Sequence, residues 1–343
     1  MAAAPPSYES ERRRALRLAL AVTTAFAYIQ VVPWPLSFLA PVAALVFTQE
    51  SKAMSFADGA RVLLLFALGL TGGFLLTLLF RDYPIVMVIV FTMLIRQFFM
   101  IILAAADHLA VAISVLLGTT IVPVVTILLP ELGYLLVVYA TFGFVVGWFI
   151  AAVAFLIIPA LEQVPETHGH GSIDPADLSF ISTQLALVMG TLLVAYLVFG
   201  WTDVLVLVYA GLFATALGTA GATGMGLTYI RANFVYGALA TLIVFELLTI
   251  VSFLPFAVLV FFLAIYIFGK NLFSHSPTAA EWASGSFGFT ILLSGLLASD
   301  KISATDKIFD RLAALALAMV YIAFVFVLLE YLRKRKAYRR VQA

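Results

Sequence analysis

Runs of about 20 apolar residues, the length a helix needs to cross a hydrocarbon core of roughly 30 Å, recur from one end of this sequence to the other. Between them lie only short polar stretches, 1–14, 161–177, 271–283 and 333–343, none long enough to be a soluble domain. Hydrophobic residues make up 64% of the chain and charged ones 11%, against roughly 45–50% and about 25% in soluble domains. A water-soluble fold is therefore excluded. The 19 basic and 18 acidic residues nearly cancel, so no basic excess points to nucleic acid. The chain has no cysteine, which removes disulfides, thiolate metal sites and cysteine nucleophiles.

Cut at its Pro, Gly and charged clusters, the chain yields twelve helical segments. They cover 15–32, 36–49, 58–80, 84–106, 109–129 and 131–160 in the first half, and 178–199, 201–217, 226–250, 254–270, 284–299 and 306–332 in the second. Segment 36–49 rises only about 21 Å, so it reads as a half-span or as a helix extending into its flanks. Segments 201–217 and 284–299 share that ambiguity. Basic residues flanking spans concentrate on the cytoplasmic side. With the N-terminus inside, Arg12, Arg13, Arg14, Arg17, Lys52, Arg61, Arg231, Lys270 and six basic residues from Arg333 to Arg340 are cytoplasmic. The outer side keeps Arg81, Lys301, Lys307 and Arg311. Both termini are expected inside. The Arg cluster ahead of an apolar run imitates a secretory signal, but no small-residue cleavage site follows and Pro33-Trp34-Pro35 ends the run as a turn, so the first helix is expected to be retained.

Residues 17–34 (RLALAVTTAFAYIQVVPW) and 184–201 (QLALVMGTLLVAYLVFGW) align without gaps at an offset of 167. Arg61 and Arg231, then Pro84 and Pro255, continue nearly the same offset. The expected fold is an all-α polytopic membrane protein of about twelve transmembrane helices in two parallel six-helix repeats, related by a pseudo-twofold axis along the membrane normal. The repeats would occupy 1–160 and 178–332, with a polar linker at 161–177 and a basic cytoplasmic tail at 333–343. An odd number of crossings per half would instead invert the second repeat.

The first helix, Arg13-Arg14-Ala15-Leu16-Arg17-Leu18-Ala19-Leu20, the turn Pro33-Trp34-Pro35 and the short second helix ending Phe47-Thr48-Gln49-Glu50 form a pattern with a second copy at Gln184 to Trp201. This pattern resembles the fusaric acid resistance and aromatic acid exporter family of bacterial inner-membrane proteins, and more distantly the plant aluminium-activated malate channels. The resemblance implies export of aromatic or other organic acids, driven by the proton gradient and assisted by a periplasmic adaptor protein. Longer members carry soluble cytoplasmic domains after each helical block, and here only the linker and the tail occupy those places.

Arg96 lies 12 residues past Pro84 in an otherwise apolar segment, about 18 Å from its outer end. A charge there costs at least about 2.5–3.5 kcal/mol on insertion scales. Its guanidinium matches a carboxylate with two parallel hydrogen bonds, so it is a candidate substrate anchor. Snorkelling, or a structural pair with Asp107, would also account for it. Lys270 lies 15 residues past Pro255, so Arg96 with Gln97 and Lys270 with Asn271 are candidates to surround one substrate carboxylate between the repeats. As an alternative, Lys270 is an inside-positive anchor.

Leu117-Gly118-Thr119-Thr120 with Pro123 reads as a break in the fifth helix, and Ser284-Gly285-Ser286 with Ser294-Gly295 as a loosening of the eleventh. Interrupted helices line protein or water, which makes Thr119, Thr120 and Ser294 candidate lining residues; close helix packing is the other reading, and it suits Gly143 and Gly147 better. Asp107 with His108, and Glu246 deep in the 226–250 helix, are candidate proton-coupling groups, although interfacial polarity also explains them. The run Gly221 to Gly226 lacks the Lys of a phosphate loop, and His168-Gly169-His170 lacks further metal ligands. No nucleophile, base and orienting group converge, so no enzyme activity, cofactor or metal is expected.

The function expected from these readings is proton-coupled efflux of organic, chiefly aromatic, carboxylic acids across a bacterial inner membrane. A passive organic-anion channel and a non-transporting membrane scaffold are the alternatives. The expected partners are small organic anions, a periplasmic adaptor and anionic lipids held by the basic tail, with homo-oligomerisation left open.

Overall fold

The computed structural model describes residues 8–50, 52–104, 109–160, 175–200, 207, 232–251, 253–274, 276, 278–297 and scattered positions from 317 to 331. It is 89% helix, with no strand among the described residues. The helices are α1 (Tyr8–Val31), α2 (Leu39–Gln49), α3 (Phe56–Phe80), α4 (Pro84–Ala104), α5 (Leu109–Leu128), α6 (Pro130–Ile157) and α7 (Pro175–Phe199). A π-helical turn, Ala232–Ala238, then leads into α8 (Leu239–Ile250), followed by α9 (Leu254–Leu272) and α10 (Ala279–Leu297).

Among the described residues, five helical stretches are long and apolar enough to cross a membrane: Phe56–Phe80, Pro84–Ile101, Pro130–Ile157, Leu178–Phe199 and Leu254–Leu272. Their surfaces fit that reading, because α3 leaves Leu64, Leu68, Leu75 and Leu79 exposed while burying Phe66 and Leu70. Such a stripe would drive aggregation in water and is at home in lipid. The chain is a helical membrane protein. Most of segments 201–217 and 306–332, residues 161–174 of the predicted linker and the tail 333–343 lie outside the described residues, while 175–177, expected to be linker, open α7.

Several boundaries differ from the sequence reading for physical reasons. Helix α1 begins at Tyr8, well before position 15, because its charged first turns support a helix of their own, with Arg13 paired to Glu9 at 3.0 Å. Helix α3 is started by Ser55, whose Oγ accepts the Asp58 N–H at 3.1 Å, as an N-cap does. Helix α5 is not broken. It runs unbroken through Pro123, as membrane helices allow when neighbours satisfy the freed backbone. Helix α10 is likewise continuous through Gly285 and Gly295, and it starts at Ala279 rather than 284.

The contacts divide the chain into two compact units. The first takes 1–67, 135–169 and 230–304, hence α1, α2, the start of α3, most of α6, the π turn and α8 to α10. The second takes 68–134, 170–229 and 305–343, hence the rest of α3, α4, α5 and α7. Each unit draws on both halves of the sequence, a different division from the repeats 1–160 and 178–332.

Within the first unit, direction can be read from contacts. Arg14, near the start of α1, stacks on Phe273 at the end of α9 and bonds the Gln49 carbonyl at the end of α2. Arg17 reaches Phe155 and Ile158 at the end of α6. Further along α1, Phe26 stacks on Phe261 in the first half of α9, with ring centroids 4.1 Å apart. At the far end Trp34 meets Phe142 edge-on. Helix α1 therefore runs antiparallel to α2, α6 and α9.

Helix α2 answers the half-span question. Its 11 residues rise about 16 Å, too little for a bilayer, and all of Leu39 to Thr48 are buried. Gly143 and Gly147 of α6 let its backbone approach, since a Cβ on Gly147 would meet Ala40 and Ala43. A short helix at membrane depth is tolerated when protein covers it on all sides. The absence of cysteine makes this testable with a single introduced thiol. Ala44→Cys should stay unlabelled by a membrane-permeant maleimide until the protein is denatured, whereas Lys52→Cys, in the exposed turn before α3, labels at once. Comparable labelling at both positions would show that α2 is not enclosed.

Candidate anion site

In the second unit α4 and α7 run antiparallel, with Thr92 against Gly190 and Arg96 against Thr183 and Ser179. The half-buried Arg96 lies five residues inside the end of the apolar stretch Pro84–Ile101. Its Nε donates to Thr183 Oγ1 at 3.0 Å and its Nη2 to Ser179 Oγ at 3.1 Å. Thr183 Oγ1 donates its own hydrogen bond to the Ser179 carbonyl at 2.8 Å, which leaves its lone pairs for Arg96.

These are neutral acceptors, and among the described residues no carboxylate lies within ion-pair distance of Arg96. Among the described residues the charge is thus oriented by hydroxyls and not neutralised by a carboxylate. On α7 the flanking Ser182 and Gln184 are buried, and neither the Ser182 hydroxyl nor either amide atom of Gln184 has a hydrogen-bond partner. Buried polar groups are normally paired, so this end of α7 concentrates unused donors and acceptors. The sequence reading passed over Ser179, Ser182, Thr183 and Gln184. The signal was four polar residues within the first turns of an apolar helix.

The other expected site residues are distributed as follows. Gln97 is exposed on α4, next to Arg96. Lys270 and Asn271 belong to the first unit, Lys270 exposed in the last turn of α9 and Asn271 bonded through Nδ2 to the Ile267 carbonyl at 2.8 Å. Thr119 and Thr120 are buried in α5, and both hydroxyls turn back to the Leu116 carbonyl, at 3.4 and 2.6 Å. Gly118 between α3 and α5 serves close approach, since a Cβ there would fall on the Gly69 carbonyl. Ser294 is buried in α10, one turn after Thr290, and neither hydroxyl has a partner. Gly285 packs against Tyr236 and Ala232 of the π turn, beside the bond from Asn233 Nδ2 to Ser284 Oγ at 2.7 Å.

Of the candidate proton-coupling groups, Glu246 is exposed on α8. Asp107 and His108 lie outside the described residues, as do His168, His170 and the run Gly221 to Gly226.

The largest departure concerns Arg17, read from sequence as an orientation marker. It is completely buried, with its guanidinium 3.9 Å over the Phe155 ring. Its place past Ala15, the first residue of the apolar run, was the available signal. No protein-family model, no curated protein and no solved structure matches the chain.

Proposed function

We propose that this membrane protein transports organic carboxylates, aromatic ones in particular, outward across a bacterial inner membrane. The reading is carried by Arg96, a guanidinium inside an apolar span that hydroxyls aim and no described carboxylate neutralises. Keeping an unpaired cation there is costly, and a substrate carboxylate would offset that cost during passage. The unpaired Ser182 and Gln184 would supply further polar contacts. Efflux requires the anion to be held less tightly in the outward state, since only a difference in affinity shifts a conformational equilibrium.

A passive anion channel is the second reading; it needs the same cation but no titratable coupling group. Flux of labelled benzoate in proteoliposomes, with and without a pH gradient, separates the two. Saturable flux that follows the gradient supports the exporter, and gradient-independent flux that does not saturate supports the channel. Arg96→Gln should weaken the half-saturating concentration or the flux by about 10- to 100-fold, the worth of one charge-assisted hydrogen bond, and Arg96→Lys by less. Equal flux in wild type and Arg96→Gln, or none in either, would overturn the reading.

A further inference from the structure

The first unit contains a second set of hydrogen-bond donors that lack acceptors. Arg17 has no exposed surface, yet its only hydrogen bond among the described residues is from Nη1 to the Ile158 carbonyl at 3.4 Å, long for an N–H donor. Its Nε and Nη2 are buried and unpartnered. Those two nitrogens form one edge of the guanidinium, the edge that binds two oxygens of a carboxylate or phosphate side by side.

Arg14 lies one turn earlier on the same face of α1. It donates Nη2 to the Gln49 carbonyl at 3.3 Å, keeps Nε buried without a partner and has its guanidinium carbon 4.2 Å from the Phe273 ring centroid. The Gln49 Nε2 is also buried and unpartnered. The buried, unpartnered atoms of these three side chains are all donors. The carbonyls at the ends of α2 and α6 attract the two cations, as helix C-termini do, but each takes up only one nitrogen. Glu11 and Glu50 lie within electrostatic reach of Arg14, and no carboxylate forms an ion pair with either arginine among the described residues.

We propose that Arg17, Arg14 and Gln49 form an oxyanion site in the first unit, in which the Nε–Nη2 edge of Arg17 grips two oxygens of a carboxylate or phosphate. Arg14, half-buried one turn nearer the start of α1, is the side from which the anion arrives. The site is separate from Arg96 and does not depend on the transport reading. Its chemistry suits either a free anion or the phosphate of a lipid headgroup, and the probes distinguish them.

The melting temperature of the purified, delipidated full chain is measured with added benzoate, with inorganic phosphate, and in phosphatidylcholine nanodiscs with and without phosphatidylglycerol. Chloride at matched ionic strength is the reference. An Arg96→Gln background removes any contribution from the other cation. A saturable rise with benzoate or phosphate identifies a free anion, and a rise confined to phosphatidylglycerol identifies a headgroup. Arg17→Lys keeps the charge but lacks the fork, and should raise the half-saturating concentration about tenfold or more. Arg17→Gln should abolish the rise, and Arg14→Gln carries the same test if Arg17→Gln fails to fold. No saturable rise with any probe, or an equal rise in Arg17→Lys and Arg14→Gln, would overturn the site.

Discussion

Replacing Gly73 by Ala should lower the melting temperature in detergent measurably, and replacing it by Leu should leave little monodisperse protein, whereas the same changes at the adjacent Gly72 should be tolerated. A Cβ on Gly73 would fall on the Gly118 carbonyl of α5, and a Cβ on Gly118 would meet the Gly69 carbonyl of α3. The obstacle at each is backbone, which has no rotamer to change, so the helices must separate. Overpacking of this kind costs about 1–3 kcal/mol, occasionally more. At Gly72 an added Cβ meets nothing within 4 Å, and in a helix interior Ala is favoured over Gly by about 0.5–1 kcal/mol. Gly72→Ala should therefore melt at or above the wild-type temperature. Equal destabilisation at the two positions, read by size-exclusion profile and thermal unfolding, would show that α3 and α5 do not cross where the structure places them.

The same crossing shows where sequence reading reaches its limit. Apolar run length was enough to locate α3, α4, α6, α7 and α9, because a span in lipid must be long and uncharged, and few other elements satisfy both conditions. Enclosure was not legible. Helix α2 is apolar on every face, and a helix buried in protein and a helix facing lipid share that pattern, so only contacts with Gly143 and Gly147 show that it is covered. The break expected at Gly118 to Pro123 failed for a related reason. Pro and Gly punctuate soluble helices, but inside a membrane a broken helix leaves backbone groups that water cannot satisfy, so α5 continues through them.

The candidate site was half legible. A charge inside an apolar segment identifies itself, as Arg96 did. Its partners did not, because Ser179 and Thr183 are ordinary residues until the α4–α7 pairing brings them within hydrogen-bond reach. Arg17 was hidden by its neighbours, since one Arg at the end of a row of four reads as an orientation signal. Only its complete burial separates it from Arg12 and Arg13, which remain at the surface of α1.

That burial makes Arg17 the position where the sign of one charge should matter most for folding. Its guanidinium sits against the C-terminal carbonyls of α6 and one turn from Arg14, which holds the end of α2. Helix C-termini carry negative partial charge, so the site favours a cation and opposes an anion. Arg17→Glu would bury a carboxylate beside those carbonyls, with Arg14 the one cation among the described residues near enough to offset it, and should destabilise by about 3–5 kcal/mol, the range for an uncompensated buried charge. Arg17→Met removes the charge while keeping the length and apolar contact with Phe155. Replacing buried ionic groups by apolar ones of similar volume is often neutral or stabilising, so this variant should fold and melt within a few degrees of wild type. The two together separate charge from packing. If Met, which keeps the stem, destabilises as much as Glu, then loss of the cation and its contacts with Phe155 and the Ile158 carbonyl carries the cost, and the sign of the buried charge is not what matters.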